Sequence, residues 1–549
     1  MHDADVIEGI ISEISFISQT NGFQYNKGII TGDILVFFDG LSKPISFSVS
    51  IFPQYPLKHH ESESIKFISK ELIAYNHVME DGSICIHTSH HINLKQKILI
   101  DFNALKLWIE KYYIHDNKDT TYEHIIASEC LINETYISYV FTEIDYKFAK
   151  EDFGTVKLSN LQTGIYKGKN IENFLVQSFY LKGTSLDCKW SHHYKEVHSQ
   201  KEGLFYFLET HPAKHDRFIL KNWTDFSNLL SEEFLKALHN YEFNNANFLP
   251  VFLGYNTVDD EIHWQVAIIE KNKLPLKEEY VQDGMLALPK WKLINSKVNW
   301  AISRNSSYKY FYGRGALCSK ITENKILVLG VGALGSMIAK SLTRGGIQEI
   351  SIADYDVKEY ENICRSEYMF HFGLGDKVNE LGLILSMISP FVNINIINDE
   401  YFESAIKIFK EDISARKHFI DTLNEYDIVF DCTTDNDLMY ILSDLKLDCD
   451  VINLSITNHA NELVCAFHPN IYHFVNTQFD SVLNNDVDDL YEPTGCWSPT
   501  FKASYTDIDL LVKFAIKHIN HLYESGKKKN NFVIESNQGE VFSINVREF

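Results

Sequence analysis

The stretch "KILVLGVGALGSMIAKSL", residues 325–342, places a glycine-rich turn between a short apolar run and an amphipathic run. The first run has the character of a buried strand, and the second predicts a helix. Gly330, Gly332 and Gly335 form the pattern G-x-G-x-x-G between them. Such glycines permit a tight turn and let backbone N–H groups approach a phosphate at the positive end of the helix. The stretch therefore predicts a nucleotide-binding turn in a βαβ unit.

Further buried-strand runs follow the turn in "EISIADYD", "DIVFDCTTD" and "DVINLSIT". Strands that alternate with helices in this way predict a mostly parallel sheet and an α/β domain over residues 301–549. Asp354 ends the strand that comes next after the turn, where a carboxylate can bond a ribose hydroxyl. Nucleotide binding is the expected role of this domain.

Four polar residues after Asp354 go beyond what a nicotinamide site needs. Asp356, Asn362 and Arg365 lie in "DYDVKEYENICR", and Lys377 follows after "FHFGLGD". Cations beside a triphosphate neutralise the charge that develops when its α-phosphate is attacked and pyrophosphate leaves. Because hydride transfer develops no such anionic charge, these residues favour adenylation over dehydrogenation.

Two aspartates in "DCTTDND" are candidate magnesium ligands. Asp431 and Asp435 come at the end of a predicted parallel strand, the usual position for ligand contacts in an open α/β sheet. Either carboxylate could hold Mg²⁺ on the phosphates of a nucleotide.

These motifs together resemble the adenylation domain of the MoeB/ThiF and ubiquitin-activating superfamily. The quoted matches are "GVGALG", "DYDV", "NICR", the downstream lysine and "DCTTD". The resemblance implies a Rossmann-like fold, ATP and Mg²⁺ as cofactors, and adenylation of a protein's C-terminal carboxylate. It further implies that Asp354 binds ribose, that Asn362, Arg365 and Lys377 bind phosphates, and that an aspartate binds magnesium.

The chain departs from that superfamily at two positions. Ser366 stands where a glutamine usually follows the arginine, and an extra threonine shifts the magnesium register, for which we prefer Asp435 over Asp431. Members also use an arginine that precedes the first strand, often supplied across a homodimer. Arg304 and Arg314 are both candidates for that arginine.

Cys496 is the candidate thioester residue. It lies in "EPTGCWSPTFKASYTDIDLLVKFAIKHI", where Gly495 and Pro499 interrupt regular structure before a helix for which Thr506 or Asp507 is the expected cap. A thiol near the start of a helix is favoured as a nucleophilic thiolate. The "GC-x-x-PTF" segment resembles that of bacterial activating enzymes, and the alternative is a buried loop cysteine.

Cys85 is a second candidate nucleophile, in "YNHVMEDGSICIHTSHH". The run "DGSICI" resembles the active-site stretch of ubiquitin-conjugating enzymes, and so does the order of elements before it. Those enzymes place an asparagine eight residues before the cysteine, and here that position is His77. A histidine N–H can donate to an oxyanion or position the attacking amine. His87, His90 and His91 are interpreted as surface residues, and the alternative is an inactive domain used for docking.

Secondary-structure signals divide the 549 residues into three regions. Residues 1–125 predict an α+β conjugating-like domain. Its first helix carries Val6, Ile10, Ile14 and Ile17 on one side, "DILVFFDG" and "PISFSVSIFPQYP" are strands, and "DFNALKLWIEKYY" is a helix. Residues 126–300 predict a strand-rich α+β linker or docking domain that includes "GLFYFLE" and "EIHWQVAIIEKN". Residues 301–549 form the predicted adenylation domain.

Composition restricts the partners and the compartment. A formal charge of −23 disfavours nucleic acid and anionic membranes as main partners. No apolar run is long enough to span a bilayer, and the N-terminal segment has acidic residues where a secretory signal needs basic ones. Nine scattered cysteines without a C-x-x-C pair indicate a reduced, cytoplasmic protein.

The order of the three regions resembles bacterial activating–conjugating fusions of CBASS anti-phage operons. That resemblance implies adenylation of a partner's C-terminal glycine, a thioester on Cys496, transfer to Cys85 and isopeptide ligation to target lysines. The partner would be a cGAS-like nucleotidyltransferase or a ubiquitin-like protein, and the chain would form a homodimer. Three alternatives stay open: a sulfur-carrier adenylyltransferase without ligation, a nicotinamide dehydrogenase, and a scaffold with an inactive conjugating-like domain.

Overall fold

The computed structural model groups the chain into two compact units. The first contains Met1–Cys130, Ala149–Phe153 and Tyr206–Ala301, and the second contains Leu131–Phe148, Gly154–Phe205 and Ile302–Phe549. Because each unit collects segments that are distant in sequence, the division into 1–125, 126–300 and 301–549 remains a prediction. The structure describes residues 4–58, 62–117, 131–195, 201–215, 218–243, 246–257, 261–283, 286–397, 402, 409, 412–483 and 503–549.

The first unit opens with a four-stranded antiparallel meander, in which each strand pairs with the next along the chain. Burial alternates along Ile45–Ile51, as it does in a sheet with one face on a core. This confirms the strands predicted from "DILVFFDG" and "PISFSVSIFPQYP". The elements of this part are Ala4–Ser12 (helix), Ile17–Asn26, Ile29–Val36, Ile45–Ile51 and Ile65–Ile68 (strands), Lys70–Leu72 (3₁₀ turn), Leu94–Trp108 (helix) and its π-helical continuation Ile109–Ile114.

The first helix, Ala4–Ser12, buries a different side from the one predicted. Ile7 and Ile11, four residues apart, are fully buried, whereas Val6 is 52% exposed. The prediction was wrong because the helix ends early, so the last two residues of the predicted stripe lie beyond it in a turn and a strand. An apolar stripe counted across a helix end therefore selects the wrong face.

The second helix, Leu94–Trp108, has the face that the sequence predicts. Phe102, Leu105 and Trp108 are buried, and so is Tyr112 in the π-helical continuation. Residues three and four apart share one side of a helix. The predicted helix and its apolar face are confirmed.

A buried ionic network joins this helix to the connection between the last two strands of the meander and to Thr88. The Lys97 ammonium is 2.6 Å from Asp101 Oδ1, 3.0 Å from Glu63 Oε2 and 2.5 Å from Thr88 Oγ1. Tyr55 donates its hydroxyl proton to the second oxygen of Asp101, at 2.8 Å. Burial opposes ionisation of Glu63, but the Thr88 N–H and the lysine ammonium groups outweigh it and lower the pKa of this carboxyl. Lys97 and Asp101 are both at most 2% exposed.

We expect Lys97→Ala to destabilise this part of the first unit by about 3–5 kcal/mol, because it leaves the Asp101 carboxylate buried without its counterion and leaves Glu63 with only the exposed Lys58. Lys95→Ala is the matched control on the same helix. Lys95 and Glu13 form an exposed ion pair, which contributes at most about 1 kcal/mol. Hydrogen exchange of the amides in Leu94–Trp108 measures both losses. Equal protection in the two variants would contradict the expectation.

The rest of the first unit is dominated by antiparallel pairs. Phe248–Asn256 pairs with Ile262–Glu270 along its full length, which confirms the strand predicted from "EIHWQVAIIEKN". The remaining elements are Ala213–Lys214, Phe218–Ile219, Leu276–Asp283, Leu286–Leu293 and Asn299–Trp300 (strands), Trp223–Phe226 (3₁₀ turn) and Glu232–His239 (helix). The strand Lys201–Glu209, predicted from "GLFYFLE", runs from the second unit into the first.

The second unit begins with a mixed sheet built around its longest strand, Lys169–Leu181. That strand pairs parallel to Thr135–Phe141 and antiparallel to residues 155–160 of the strand Phe153–Asn160. Ile302–Asn305 adds parallel to Thr135–Phe141. Short elements complete this part: Leu131–Ile132, Gly164–Tyr166 and Thr184–Asp187 (strands) and His192–Lys195 (helix).

An eight-stranded sheet forms the core of residues 302–549. Five parallel strands come first, in the spatial order Asn393–Ile397, Glu349–Ala353, Lys325–Leu329, Ile428–Asp431 and Asp450–Ile456. Three antiparallel strands extend it, Glu462–Phe467, Phe532–Gln538 and Phe542–Glu548. The predicted βαβ pattern is confirmed, within a sheet that is mixed overall.

Helices and short turns link these strands. Their bounds are Tyr308–Tyr312, Ser319–Thr322, Ala333–Arg344, Lys377–Ile388, Ile413–Leu423, Asn436–Asp444, Ile471–Leu483 and Tyr505–Ser525 (helices), Tyr360–Arg365, Phe370–Phe372 and Asn458–Ala460 (3₁₀ turns), and Val357–Lys358 and Gly375–Asp376 (a strand pair). Within the ranges described above, none of the helices is both long and apolar enough to cross a membrane.

Candidate functional site

The glycine turn lies between the strand Lys325–Leu329 and the helix Ala333–Arg344. Gly330 has a φ of 73°, a left-handed conformation that favours glycine. A Cβ on Gly335 would lie 1.9 Å from the Gly330 carbonyl oxygen, so no side chain fits there without a backbone shift. Gly332 precedes the helix and provides no side-chain cap. The first turn of the helix therefore presents backbone N–H groups, as anion binding requires.

Asp354 follows the neighbouring strand and bonds to the backbone of the glycine turn. Its Oδ2 accepts the N–H of Val331 at 2.8 Å, and its Oδ1 accepts the N–H of Asp356 at 2.9 Å. Burial raises the pKa of Asp354, while the Lys377 ammonium and the two N–H groups oppose the rise. The carboxyl is thus held in a defined position at the carboxyl end of the parallel strands.

A cavity of about 170 Å³ opens at this end of the sheet. It is lined by Gly330, Asp354 and Asp356 on one side of the turn, and by Thr433 and Asp435 on the neighbouring strand end. The fold therefore brings together three residues that the sequence assigned separately to turn, ribose and metal. Their roles remain predictions.

Lys377 lies beside the cavity as the first residue of the helix Lys377–Ile388. Its ammonium is 2.8 Å from Asp356 Oδ2, and its backbone N–H donates to the Asp356 carbonyl at 3.2 Å. Lys377 is 9% exposed overall, whereas the Asp356 side chain is 57% exposed. The pair places a positive charge close to the cavity and leaves one carboxylate facing solvent.

Asn362 and Arg365 share the 3₁₀ turn Tyr360–Arg365. Asn362 Oδ1 accepts the N–H of Glu359 at 2.9 Å as part of a capping box. Arg365 is half-buried at the end of the turn. The buried Ser366, which replaces the expected glutamine, donates its hydroxyl proton to the Asn362 carbonyl. The turn is therefore held by its own polar side chains, and the phosphate contacts of Asn362 and Arg365 stay predictions.

The two candidate magnesium ligands have different surroundings. Asp431 is fully buried and accepts from the Thr433 N–H at 3.1 Å, the Thr433 hydroxyl at 2.7 Å and the Asn453 amide at 2.9 Å. Burial raises its pKa, against those hydrogen bonds. Asp435 is exposed and lines the cavity. Its Oδ1 caps the next helix by accepting the N–H groups of Asp437 and Leu438 at 2.8 and 3.1 Å.

Asp435 fits a magnesium ion better than Asp431 does. Among the described residues, no group of three or more His, Cys, Asp and Glu side chains could hold a metal. Magnesium bound through nucleotide phosphates needs only one or two carboxylates from the protein. A single exposed carboxylate at the cavity meets that requirement, which a buried and fully bonded one does not.

The choice of auxiliary arginine stays open. Arg304 lies in the strand Ile302–Asn305, and its Nη1 donates to the Ser303 carbonyl at 3.1 Å. Arg314 is exposed in the segment after the helix Tyr308–Tyr312.

Cys85 lies in the first unit, just after a bridge between Val78 and Ile84. Its backbone N–H donates to the His77 carbonyl at 2.7 Å. The His77 ring packs on the Tyr112 ring, with 4.8 Å between centroids. His77 therefore shapes the Cys85 turn through its backbone, and its proposed role toward the oxyanion is untested.

Sequence reasoning missed a second histidine at this thiol. The sequence placed His87 at the surface, which its exposure confirms, but did not predict that its Nε2 lies 3.8 Å from Cys85 Sγ. Cys85 is half-buried and His87 is exposed. The C-x-H spacing was the available signal, because alternate residues of an extended segment share one side.

Cys496 lies outside the described residues. The helix after it is Tyr505–Ser525, whereas a cap at Thr506 would make the helix begin at Asp507. Its cap is Ser504, whose hydroxyl accepts the N–H of Asp507, and Asp507 returns the bond in a capping box. The predicted cap was wrong, because an S-x-x-D pattern upstream satisfies two helix N–H groups together.

We expect Gly335→Ala to abolish nucleotide binding by this domain, because the added carbon would force the Gly330 carbonyl out of the turn. Isothermal titration with ATP and Mg²⁺ measures the loss. Gly315→Ala is the control, since a Cβ there meets no atom within 4 Å. ATP affinity unchanged in Gly335→Ala would show that the turn does not hold the nucleotide.

The family comparison extends over the glycine turn and the strand ends just described. Residues 303–449 match the sequence model of the ThiF family. We call residues 303–449 the ThiF-family domain, after the sequence model that they match. Its match includes the cavity, the Lys377–Asp356 pair and both candidate magnesium ligands.

Two curated relatives show what this chain is similar to. The ATP-dependent ubiquitin transferase-like protein Cap2 of Enterobacter hormaechei subsp. hoffmannii is 28% identical over 236 residues, which cover 41% of this chain and 37% of Cap2. The adenylyltransferase and sulfurtransferase UBA4 of Debaryomyces hansenii is 21% identical over 230 residues, covering 41% of this chain and 43% of UBA4. The chain thus spans less than half the length of either relative.

Among solved structures, the crystal structure of E. coli MccB with ATP is similar to part of this chain. It is 14% identical, covers 42% of this chain and 65% of MccB, and has a TM-score of 0.29.

Proposed function

We propose that the chain adenylates the C-terminal carboxylate of a partner protein with ATP and then ligates that protein through two thioesters. In this scheme the ThiF-family domain forms the acyl-adenylate, Cys496 takes the acyl group as a thioester, and Cys85 receives it by exchange. A lysine amine of a target protein then attacks the thioester on Cys85 and forms an isopeptide bond. The partner ends in glycine and is a cGAS-like nucleotidyltransferase or a ubiquitin-like protein.

The observation that carries adenylation is the Lys377–Asp356 pair next to Asp354 at the cavity. A nearly buried ammonium beside the strand ends provides a fixed positive charge where phosphates would lie. Attack on an α-phosphate increases negative charge on its oxygens, so a fixed cation stabilises that transition state more than the ground state. Hydride transfer develops no such negative charge on a phosphate, so this cation favours adenylation.

The surrounding residues divide the work of holding the nucleotide. The N–H groups of the first helical turn and Arg365 would bind phosphate oxygens, Asp354 would accept from ribose hydroxyls, and Asp435 would hold Mg²⁺. Magnesium supplies neutralisation of the pyrophosphate that leaves. Lys377 would orient the α-phosphate toward the incoming carboxylate.

The relay through cysteines is supported by the likeness to Cap2, whose name describes an ATP-dependent ubiquitin transferase-like protein. The half-buried thiol of Cys85, with an imidazole in contact, also fits a nucleophile. A homodimer belongs to the same proposal.

ATP–pyrophosphate exchange with candidate partners tests the adenylation step. The chain is incubated with ATP, Mg²⁺, labelled pyrophosphate and each purified protein encoded beside it. We expect exchange only with a partner that has a free C-terminal carboxylate. The same partner with its C-terminal glycine deleted is the control. Equal exchange with and without the partner's C-terminal glycine would contradict the proposal.

Sulfur transfer is the alternative, favoured by the likeness to the sulfurtransferase UBA4. It predicts a thiocarboxylate on the partner and no isopeptide product. Mass spectrometry of the partner after incubation with ATP and a sulfur donor separates the two outcomes, because a thiocarboxylate replaces one oxygen by sulfur.

A further inference from the structure

Two histidines, His77 and His87, contact Cys85 in different ways. The His77 ring packs on Tyr112, and its carbonyl accepts the Cys85 N–H. The His87 ring places Nε2 at 3.8 Å from Cys85 Sγ. His87 is thus the histidine whose ring nitrogen contacts the thiol.

The segment that carries both residues is fixed at each end. Before it, the backbone N–H groups of Ile84 and Cys85 donate to the carbonyls of Phe67 and His77 at 2.8 and 2.7 Å. After it, Thr88 donates its N–H to Glu63 at 3.1 Å. These bonds hold the backbone on both sides of His87 and so keep its Cα near Cys85.

The Thr88 anchor belongs to the buried ionic network. The Thr88 hydroxyl donates to Asp101 Oδ1 at 2.7 Å, and the Lys97 ammonium contacts the same hydroxyl at 2.5 Å. Lys97 and Asp101 are buried in the helix Leu94–Trp108. Such a network costs desolvation and is weak evidence for stability alone. Because Thr88 is a member of this network and directly follows His87, the network can fix the position of the backbone at His87.

We propose that His87 is the catalytic base for Cys85 and that the Lys97 network holds it in place. The inference rests on the proposed function, because it assigns a proton acceptor to the exchange between the two cysteines. His87 acts in its neutral form with the ring proton on Nδ1, so that Nε2 can accept. A cysteine in contact with a histidine that is itself held in place has the arrangement of an activated nucleophile.

In the exchange step, the acyl group moves from one cysteine sulfur to the other. Nε2 of His87 takes the proton of the Cys85 thiol while the sulfur bonds to the thioester carbonyl carbon. The bond from that carbon to the Cys496 sulfur breaks, and the electron pair leaves with that sulfur. Solvent protonates the released thiolate and later removes the proton from His87. The acyl group ends on Cys85 without any oxidant or reductant.

A small thioester tests this assignment without ATP or partner. The full chain is mixed near neutral pH with the 2-mercaptoethanesulfonate thioester of N-acetylglycine, and acylation of the Cys85 peptide is followed by mass spectrometry. We expect His87→Gln to slow acylation roughly 100-fold, the lower range for a lost general base. Added imidazole should restore part of the rate. His90→Gln, an exposed histidine on the same segment, should react like the unchanged chain.

The outcomes separate catalysis from structure and from the proposed function. An unchanged rate in His87→Gln overturns the inference, and so does a slow rate with no imidazole rescue and a lowered melting temperature. A loss confined to His77→Gln overturns it too, because the base would then be His77. Failure of the proposed function looks different: Cys85 would still be acylated by the small thioester, yet ATP and partner would give no adduct.

Discussion

ATP–pyrophosphate exchange by Lys377→Ala is expected to be about 100- to 1,000-fold slower than exchange by the unchanged chain, the range found when one preorganised charge-stabilising group is removed. The Lys377 ammonium is fixed by its ion pair with Asp356 and by the start of its helix. It therefore needs no reorganisation when charge develops on the α-phosphate. The loss should fall mainly on kcat, because the cation acts more strongly on the transition state than on bound ATP.

The fold should survive this substitution. Asp356 is 57% exposed, so water can solvate its carboxylate once the lysine is gone. Without the ammonium, the pKa of Asp354 should rise further, because Lys377 is the main charge that opposes the effect of burial. Circular dichroism and thermal unfolding of the variant check that the domain is intact.

Lys325→Ala is the matched control for Lys377→Ala. Lys325 begins the first parallel strand, at the end of the sheet opposite the cavity, and lies 3.9 Å from Glu349. The Lys325→Ala substitution removes the same charge from the same domain and leaves the carboxyl ends of the strands at the cavity unchanged. Equal exchange rates in the two variants would show that Lys377 has no special role in adenylation.

Cys496→Ala is expected to eliminate all thiol-sensitive adducts between the chain and its partner, whereas Cys85→Ala should retain them and lose the isopeptide product. The first variant lacks the thiol that takes the acyl group from the adenylate in this scheme. In the second, the thioester stays on Cys496 because its acceptor is missing. Gels run with and without a reducing agent after incubation with ATP distinguish the thioester adduct, the isopeptide product and the absence of both.

Cys318→Ala serves as the control for both cysteine variants. Cys318 is half-buried at the start of the helix Ser319–Thr322, and its Sγ lies 3.9 Å from the Asn520 carbonyl oxygen. Its removal should leave adducts and product unchanged. Isopeptide product from Cys85→Ala would remove Cys85 from the pathway and favour a direct transfer from Cys496.

The ThiF-family domain was predictable because its signals are local. A short apolar strand, a glycine turn and a helix occupy eighteen consecutive residues, 325–342, and the strand ends that carry Asp354 and Asp435 follow from the same βαβ pattern. Parallel strands bring such ends to one edge of the sheet whatever the loops between them do. The cavity at that edge is the result.

Features that depend on distant contacts were less predictable. Residue spacing alone could not show that the first helix stops at Ser12, and the predicted buried face was wrong for that reason. The role proposed for His87 depends on Thr88, which is held by Glu63 and Asp101 from other parts of the chain. Spacing suggested only that His87 and Cys85 could share a side.

Asp435 illustrates how one carboxylate can come under two independent selective pressures. One oxygen caps the start of the helix Asn436–Asp444, and the residue also borders the cavity. A lineage that abandoned the nucleotide chemistry would lose the need for charge but keep the need for a side-chain oxygen. Drift at this position should therefore reach asparagine, serine or threonine before alanine, because these side chains keep the helix cap. An asparagine there would indicate a domain that still folds but no longer needs the carboxylate charge.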